Sequence, residues 1–303
     1  MRRSLLFFFV FSVKKKQQTR GMTTGKDARA LGLQGELVLY GHNLQYFESG
    51  PSRSGKKLIV LGGLSDGLLA CPYVPALAHE AAALGWSTVQ PVLRSSYAQF
   101  GFRSLDTDCE DLTVLCDELR RRGSLTEIAV LGHSTGAQIC AHFVRTCPPP
   151  ELCKVILQAG VSDRETDDEK LAAERKHFLD TYTNDPEAFL PSDAYWAPIT
   201  QQRFRDLFGK NGADDYFSSD LSDDALADRF RNFRQKNIAT LIAYSEHDEH
   251  APPSVDKEAL VARLATHMGP RATPVIVPDG DHALTQPKPQ AFFLDKVRHF
   301  LQE

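Results

Sequence analysis

From about residue 35 onward, short apolar runs alternate with longer amphipathic stretches, and this alternation limits the chain more than any other feature. A strand that is apolar on both faces needs helices above and below it, so strand and helix in turn predict a mainly parallel, doubly wound α/β sheet. Residues 36–40 and 45–48 read as an opening hairpin. Strands are then predicted at 57–61, 87–93, 127–131, 154–159, 238–244 and 274–277, and helices at 75–84, 105–122, 135–145 and 289–301. In the last helix, Phe292, Phe293, Val297, Phe300 and Leu301 share one face, the spacing of ordinary core packing.

One long segment breaks the rhythm. Residues 162–237, between the strands at 154–159 and 238–244, are dense in charged and aromatic side chains, with helical patterns at 167–179 and 223–233 and loop-like stretches at 191–198 and 211–220. A structureless connection of that length is improbable in a compact domain, so the segment is read as a largely helical cap over the sheet's C-terminal edge. The expected organisation is an N-terminal extension over 1–34 and one domain over 35–303, with the cap at about 162–237.

The extension is distinct in charge. Residues 1–26 hold seven basic side chains and no acidic one, which leaves 28 basic against 39 acidic residues, a net −11, for the remainder. A body so acidic argues against a nucleic-acid partner. The apolar run at 4–13, flanked by Arg2, Arg3 and Lys14–Lys16, is too short for a stable membrane span and has no small-residue cleavage site. It is read as a dispensable extension with Met22 as an alternative start, which predicts a cytoplasmic protein; an organelle-targeting peptide is the competing interpretation. The six cysteines (Cys71, Cys109, Cys116, Cys140, Cys147 and Cys153) have no metal-type spacing and read as reduced, mostly buried thiols.

The chemistry concentrates at residues 128–136, where an apolar run ends in Gly132-His133-Ser134-Thr135-Gly136. This G-x-S-x-G pattern suits a sharp strand-to-helix turn. The glycines let neighbouring backbone come close, and the helix that follows directs its first amides at developing negative charge. Ser134 is the candidate nucleophile, and an ordinary strand-to-helix turn is the competing interpretation. A serine nucleophile needs a base and a carboxylate to orient it. His282, in Pro-Asp-Gly-Asp-His-Ala just after the last strand, is the candidate base, and Asp248, just after the strand at 238–244, the candidate acid. Glu246 and Glu249 flank Asp248 and compete for its role, whereas Asp281 is read as a loop residue and His133 as packing. A metal site built on His247, Asp248, Glu249 and His250 is a further alternative, opposed by Pro252 and Pro253. For an oxyanion, the backbone amide of Thr135 is the first expected donor and that of Leu64, in Gly62-Gly63-Leu64-Ser65-Asp66-Gly67, the second. A phosphate loop would need a Gly-Lys-Ser/Thr ending that this stretch lacks.

Taken together, Gly62-Gly63-Leu64, the pentapeptide around Ser134, Asp248 and His282 resemble the α/β-hydrolase superfamily over nearly all of residues 35–303, and in the order Ser, Asp, His expected of it. Residues 157–165 and 214–220 resemble a narrower fungal and plant hydrolase family, whose fungal members include esterases that cleave fusarinine-type hydroxamate siderophores. The resemblance implies a serine hydrolase with a cap, no cofactor and a small-molecule ester as substrate. Ligand binding without turnover and acyl transfer to an alcohol or amine are the alternative functions. Arg164, Arg203 and Tyr216 either meet a polar substrate or brace the cap.

Overall fold

The computed structural model describes residues 33–51, 53–123 and 125–303. Residues 1–32 of the N-terminal extension, and with them the targeting alternative, lie outside the described residues.

Eight strands form one sheet in the order β1-β2-β4-β3-β5-β6-β7-β8. The hairpin β1 (Gly35–Tyr40) and β2 (Leu44–Ser49) is antiparallel, and β2 also runs antiparallel to β4 (Trp86–Pro91). The others, β3 (Lys56–Leu61), β5 (Glu127–His133), β6 (Leu152–Gln158), β7 (Ala239–Ser245) and β8 (Ala272–Val277), are parallel to their neighbours, as is β3 to β4. The architecture is the mainly parallel, doubly wound α/β sheet of the α/β-hydrolase fold. Val, Ile, Leu and Ala fill the central strands because helices cover both faces and leave no wet side to alternate toward. On one face, α1 (Val74–Ala83) and α9 (Pro287–Gln302) bury Leu77, Phe293 and Val297 against Leu58, Leu131 and Leu241. On the other, α2 (Leu105–Arg122), α3 (Thr135–Thr146) and α8 (Lys257–Met268) bury Leu112, Phe143 and Leu264 against Ile59, Val130 and Ile242.

Helix α8 is absent from the sequence expectations. Its signals are local ones: Asp256 caps the first turn by accepting from the Ala259 amide, and Leu260, Val261, Leu264, Ala265 and Met268 recur at helical spacing.

Between β6 and β7 the chain forms α4 (Glu169–Thr181), α5 (Gln201–Phe208), α6 (Asp223–Arg229) and α7 (Arg231–Gln235). Their allegiances differ. Phe178, Leu179, Tyr182, Leu190, Phe204 and Phe208 make a small apolar cluster of their own around α4 and α5. Leu221, Leu226, Phe230 and Phe233, by contrast, join the main core beside α3 and α8. The helix expected over 223–233 is broken at Phe230, whose buried ring anchors the junction of α6 and α7. No helix among the described residues is long and apolar enough to cross a membrane.

Candidate active site

Strand β5, paired with β3 on one side and β6 on the other, ends at His133, and α3 begins at Thr135. Ser134 is the single residue between them, half-buried, at φ 55° and ψ −122°. A positive φ is strained for a non-glycine residue, and such strain persists only where surrounding contacts hold it. Here the Ser134 amide donates to the Gln158 carbonyl on β6 (3.0 Å) and its carbonyl accepts from the Ala137 amide (2.8 Å). The flanking glycines are needed for close approach. A Cβ on Gly132 would lie 2.0 Å from the Gly136 oxygen, and one on Gly136 would lie 2.6 Å from the oxygens of Leu61 and Gly62.

The loop after β3 comes to the same point, since a Cβ on Gly63 would lie 2.9 Å from the Ser134 Cβ. Asp66 shapes that loop. Its carboxylate accepts from the Gly63 amide (2.8 Å) and its amide donates to the Gly63 carbonyl (3.1 Å), closing a turn with Leu64 and Ser65 at its tip. The Gly63 amide is thereby spent within the loop. The Thr135 amide opens α3, and the first amides of a helix have no acceptor within it.

His282 lies beyond β8 and is buried. Its Nδ1 donates to the Asp248 carboxylate, 2.9 Å from Oδ1 and 2.8 Å from Oδ2. A carboxylate only accepts, so a proton sits on Nδ1, and the neutral ring then presents Nε2 as its acceptor, the form a base requires. Burial pushes the Asp248 carboxyl up, but the hydrogen bond and charge of His282 and the amide of His250 outweigh it and hold the carboxyl below its ordinary range. The rival carboxylates are occupied elsewhere: Glu249 accepts from the His282 backbone amide (2.8 Å) and Glu246 from the Asp279 amide (2.9 Å). Asp281 closes its own loop by accepting from the Thr285 amide (2.7 Å).

The string from His247 to His250 does not face one point. Asp248 turns to His282, the His250 ring packs edge-on against the His282 ring at 4.4 Å, and exposed His247 groups with Glu246 and Asp279. His133, expected to serve packing, also has a polar role. Its Nδ1 bonds Gln158 Oε1 at 2.6 Å and its ring lies 4.8 Å from that of His282. Sequence reasoning missed Gln158, Asp66 and the His250 ring. The signal for Gln158 was its place at the end of β6, in register with His133.

Arg164, Arg203 and Tyr216 are all bracing residues. Arg164 binds Asp215 and Asp220, Arg203 binds Asp214 through both terminal nitrogens, and the Tyr216 hydroxyl meets His142 Nδ1 at 2.7 Å. Arg203 also lines the smaller of two cavities, and none of the three residues lines the larger. One of about 570 Å³ opens between α4 and α5, with Arg175, Phe178, Tyr195 and Phe208 on its walls. The other, about 30 Å³, lies against Gly63, Leu64, Thr135, Asp108 and Arg203, with room for a single water.

Asp108 is 3% exposed, its Oδ1 has no hydrogen-bond partner, and burial pushes its carboxyl up to about 7. With the folded value above the unfolded 3.8, its stabilising contribution is complete below about 3.8 and is lost as the pH rises through about 7. Asp108→Asn should therefore gain stability relative to the parent between pH 5 and pH 8, by at least about 1 kcal/mol. Urea denaturation at the two pH values measures this, and an equal difference at both would contradict it.

Other proteins are similar to this chain over most of its length. A UPF0613 protein of Schizosaccharomyces pombe is 35% identical, over 70% of this chain and 74% of its own length. The fusarinine C esterase sidJ of Aspergillus fumigatus is 30% identical, over 89% of this chain and 96% of its own. Among solved structures, the siderophore hydrolase EstB from Aspergillus fumigatus superposes with a TM-score of 0.75 at 27% identity, covering 89% of this chain and 97% of EstB. The chain is thus a hydrolase of the α/β-hydrolase fold, related to esterases. The family described as "Protein of unknown function (DUF1749)" matches residues 22–302, and the chain belongs to it.

Proposed function

We propose that this protein is a serine esterase in which Ser134 attacks an ester carbonyl, His282 takes the serine proton on Nε2, and Asp248 stabilises the imidazolium. The single observation that carries the proposal is the Nδ1 hydrogen bond of His282 to both oxygens of Asp248, on a loop that Gln158 ties to the Ser134 turn. The amides of Thr135 and Leu64 receive the charge on the tetrahedral oxygen. Collapse expels the alcohol, which takes the proton from His282. Water, deprotonated by His282, then attacks the acyl-enzyme, and collapse releases the acid as His282 returns the proton to the Ser134 oxygen.

The substrate class we assign is a hydroxamate siderophore ester. Support comes from the names of two relatives, a fusarinine C esterase and a siderophore hydrolase, each matched over most of its length. Within residues 162–237, α4 and α5 serve as the cap. They pack on each other through their own apolar cluster.

A panel of esters tests both levels. The wild-type protein should hydrolyse short 4-nitrophenyl esters and ferric fusarinine-type esters, with the second group favoured in kcat/KM, and a fluorophosphonate should label Ser134. Labelling at another residue would remove the mechanism; simple esters cleaved with siderophore esters untouched would remove the substrate assignment.

A further inference from the structure

Gln158 closes β6 with no exposed surface, and its polar atoms are committed around the two loops of the proposed site. Its backbone carbonyl accepts from the Ser134 amide at 3.0 Å. Its Nε2 donates to the His282 carbonyl at 3.0 Å, across 124 positions of sequence. Its Oε1 accepts from the Tyr73 hydroxyl at 3.0 Å and meets His133 Nδ1 at 2.6 Å.

A carboxamide oxygen has no proton to give, so His133 carries its proton on Nδ1. Burial, followed by the charge of His282, drives the His133 imidazole down to about 3 and keeps it neutral. That neutrality matters 4.8 Å away, where His282 must become cationic for the reaction to proceed. The groups facing His282 are Asp248 at Nδ1, the Glu249 carboxylate at its backbone amide, the rings of His133 and His250, and Asp66 through space. Those facing His133 are Gln158, His282 and, through space, Asp248 and His250. A second imidazolium in this group would oppose charging of the base, as like charges do at short range.

We propose that Gln158 is a positioning residue for the reaction: it seats the nucleophile turn and the base loop on one side chain and one carbonyl, and orients His133 as an Nδ1–H donor. The proposal rests on the serine-esterase function above. Gln158 touches none of the reacting atoms; it acts through Ser134, His133 and His282.

The test uses the full chain, 4-nitrophenyl butyrate and two variants. Gln158→Leu removes all three side-chain bonds and should lower kcat about 100-fold, the cost of a misplacement of roughly 1 Å, with KM within about threefold. Gln158→Glu keeps the size and the acceptor. Once ionised it cannot donate to the His282 carbonyl, and it pairs with a protonated His133. Its kcat should fall too, with KM again within about threefold, because the base loop loses its donor. In the wild type, ¹⁵N spectra should show His133 as the neutral Nδ1–H tautomer from pH 5 to 9, a readout that needs neither variant to fold.

Folded variants with kcat within threefold of wild type, or a wild-type His133 that titrates between pH 5 and 9, would overturn the proposal. Wild-type hydrolysis that survives Ser134→Ala would overturn the parent function and this proposal together. Ser134-dependent hydrolysis with indifferent Gln158 variants would overturn this proposal alone.

Discussion

Replacing Ser134 with alanine should lower ester turnover by about 10⁴-fold or more and leave KM nearly unchanged, because the hydroxyl forms its bond in the transition state and little before it. The fold should survive the change. Ser134 is held by backbone bonds, from its amide to Gln158 and from Ala137 to its carbonyl, and these do not depend on the hydroxyl. Alanine also accepts the strained φ of 55° no worse than serine does. Asp248→Asn should cost a similar factor by another route. An amide at that position can donate toward Nδ1, which would favour the tautomer with its proton on Nε2 and remove the base. Steady-state kinetics on a cleaved ester, with fluorophosphonate labelling alongside, measures both. Turnover of Ser134→Ala within tenfold of wild type would end the serine mechanism.

Arg203→Ala should be the most destabilising single change among the charged residues of the 162–237 segment, at about 3–5 kcal/mol, because it strands a buried carboxylate. Arg203 on α5 is 4% exposed. It binds the buried Asp214 through both terminal nitrogens, at 2.5 and 2.8 Å, and donates from Nε to the Phe100 carbonyl at 2.9 Å. That last bond ties α5 to the turn Tyr97–Phe102 beyond β4, outside the segment. Loss of the guanidinium therefore removes three hydrogen bonds and leaves Asp214 without its cation. A double change, Arg203→Met with Asp214→Leu, should recover most of the loss, since neither charge is then buried alone. Urea denaturation of the two proteins decides the matter; equal loss in both would mean that the pair contributes through packing only.

The sequence made the local elements legible because burial leaves a periodic trace. Strand β5, helix α2 and the hairpin of β1 and β2 all lie where apolar spacing placed them, and the G-x-S-x-G turn marked its own glycines. Helix α8 was missed although its cap and spacing were present. The segment between β6 and β7 was harder. Its charge density hid the fact that Phe230 and Phe233 belong to the main core while Phe204 and Phe208 belong to a separate cluster. An aromatic residue signals burial, but its identity does not name the partner that buries it.

By itself, then, the sequence determined the alternating α/β architecture, the strained turn at Ser134 and the order of Ser134, Asp248 and His282. Tertiary structure alone decided which of Glu246, Asp248 and Glu249 meets the imidazole, that Arg164, Arg203 and Tyr216 brace the fold, and that Gln158 holds the Ser134 and His282 loops together. The reason is physical. Apolar periodicity records which side of an element faces water and repeats every few residues. A hydrogen bond between side chains depends on ångström-scale placement of groups that can lie more than a hundred residues apart, and no local pattern encodes that.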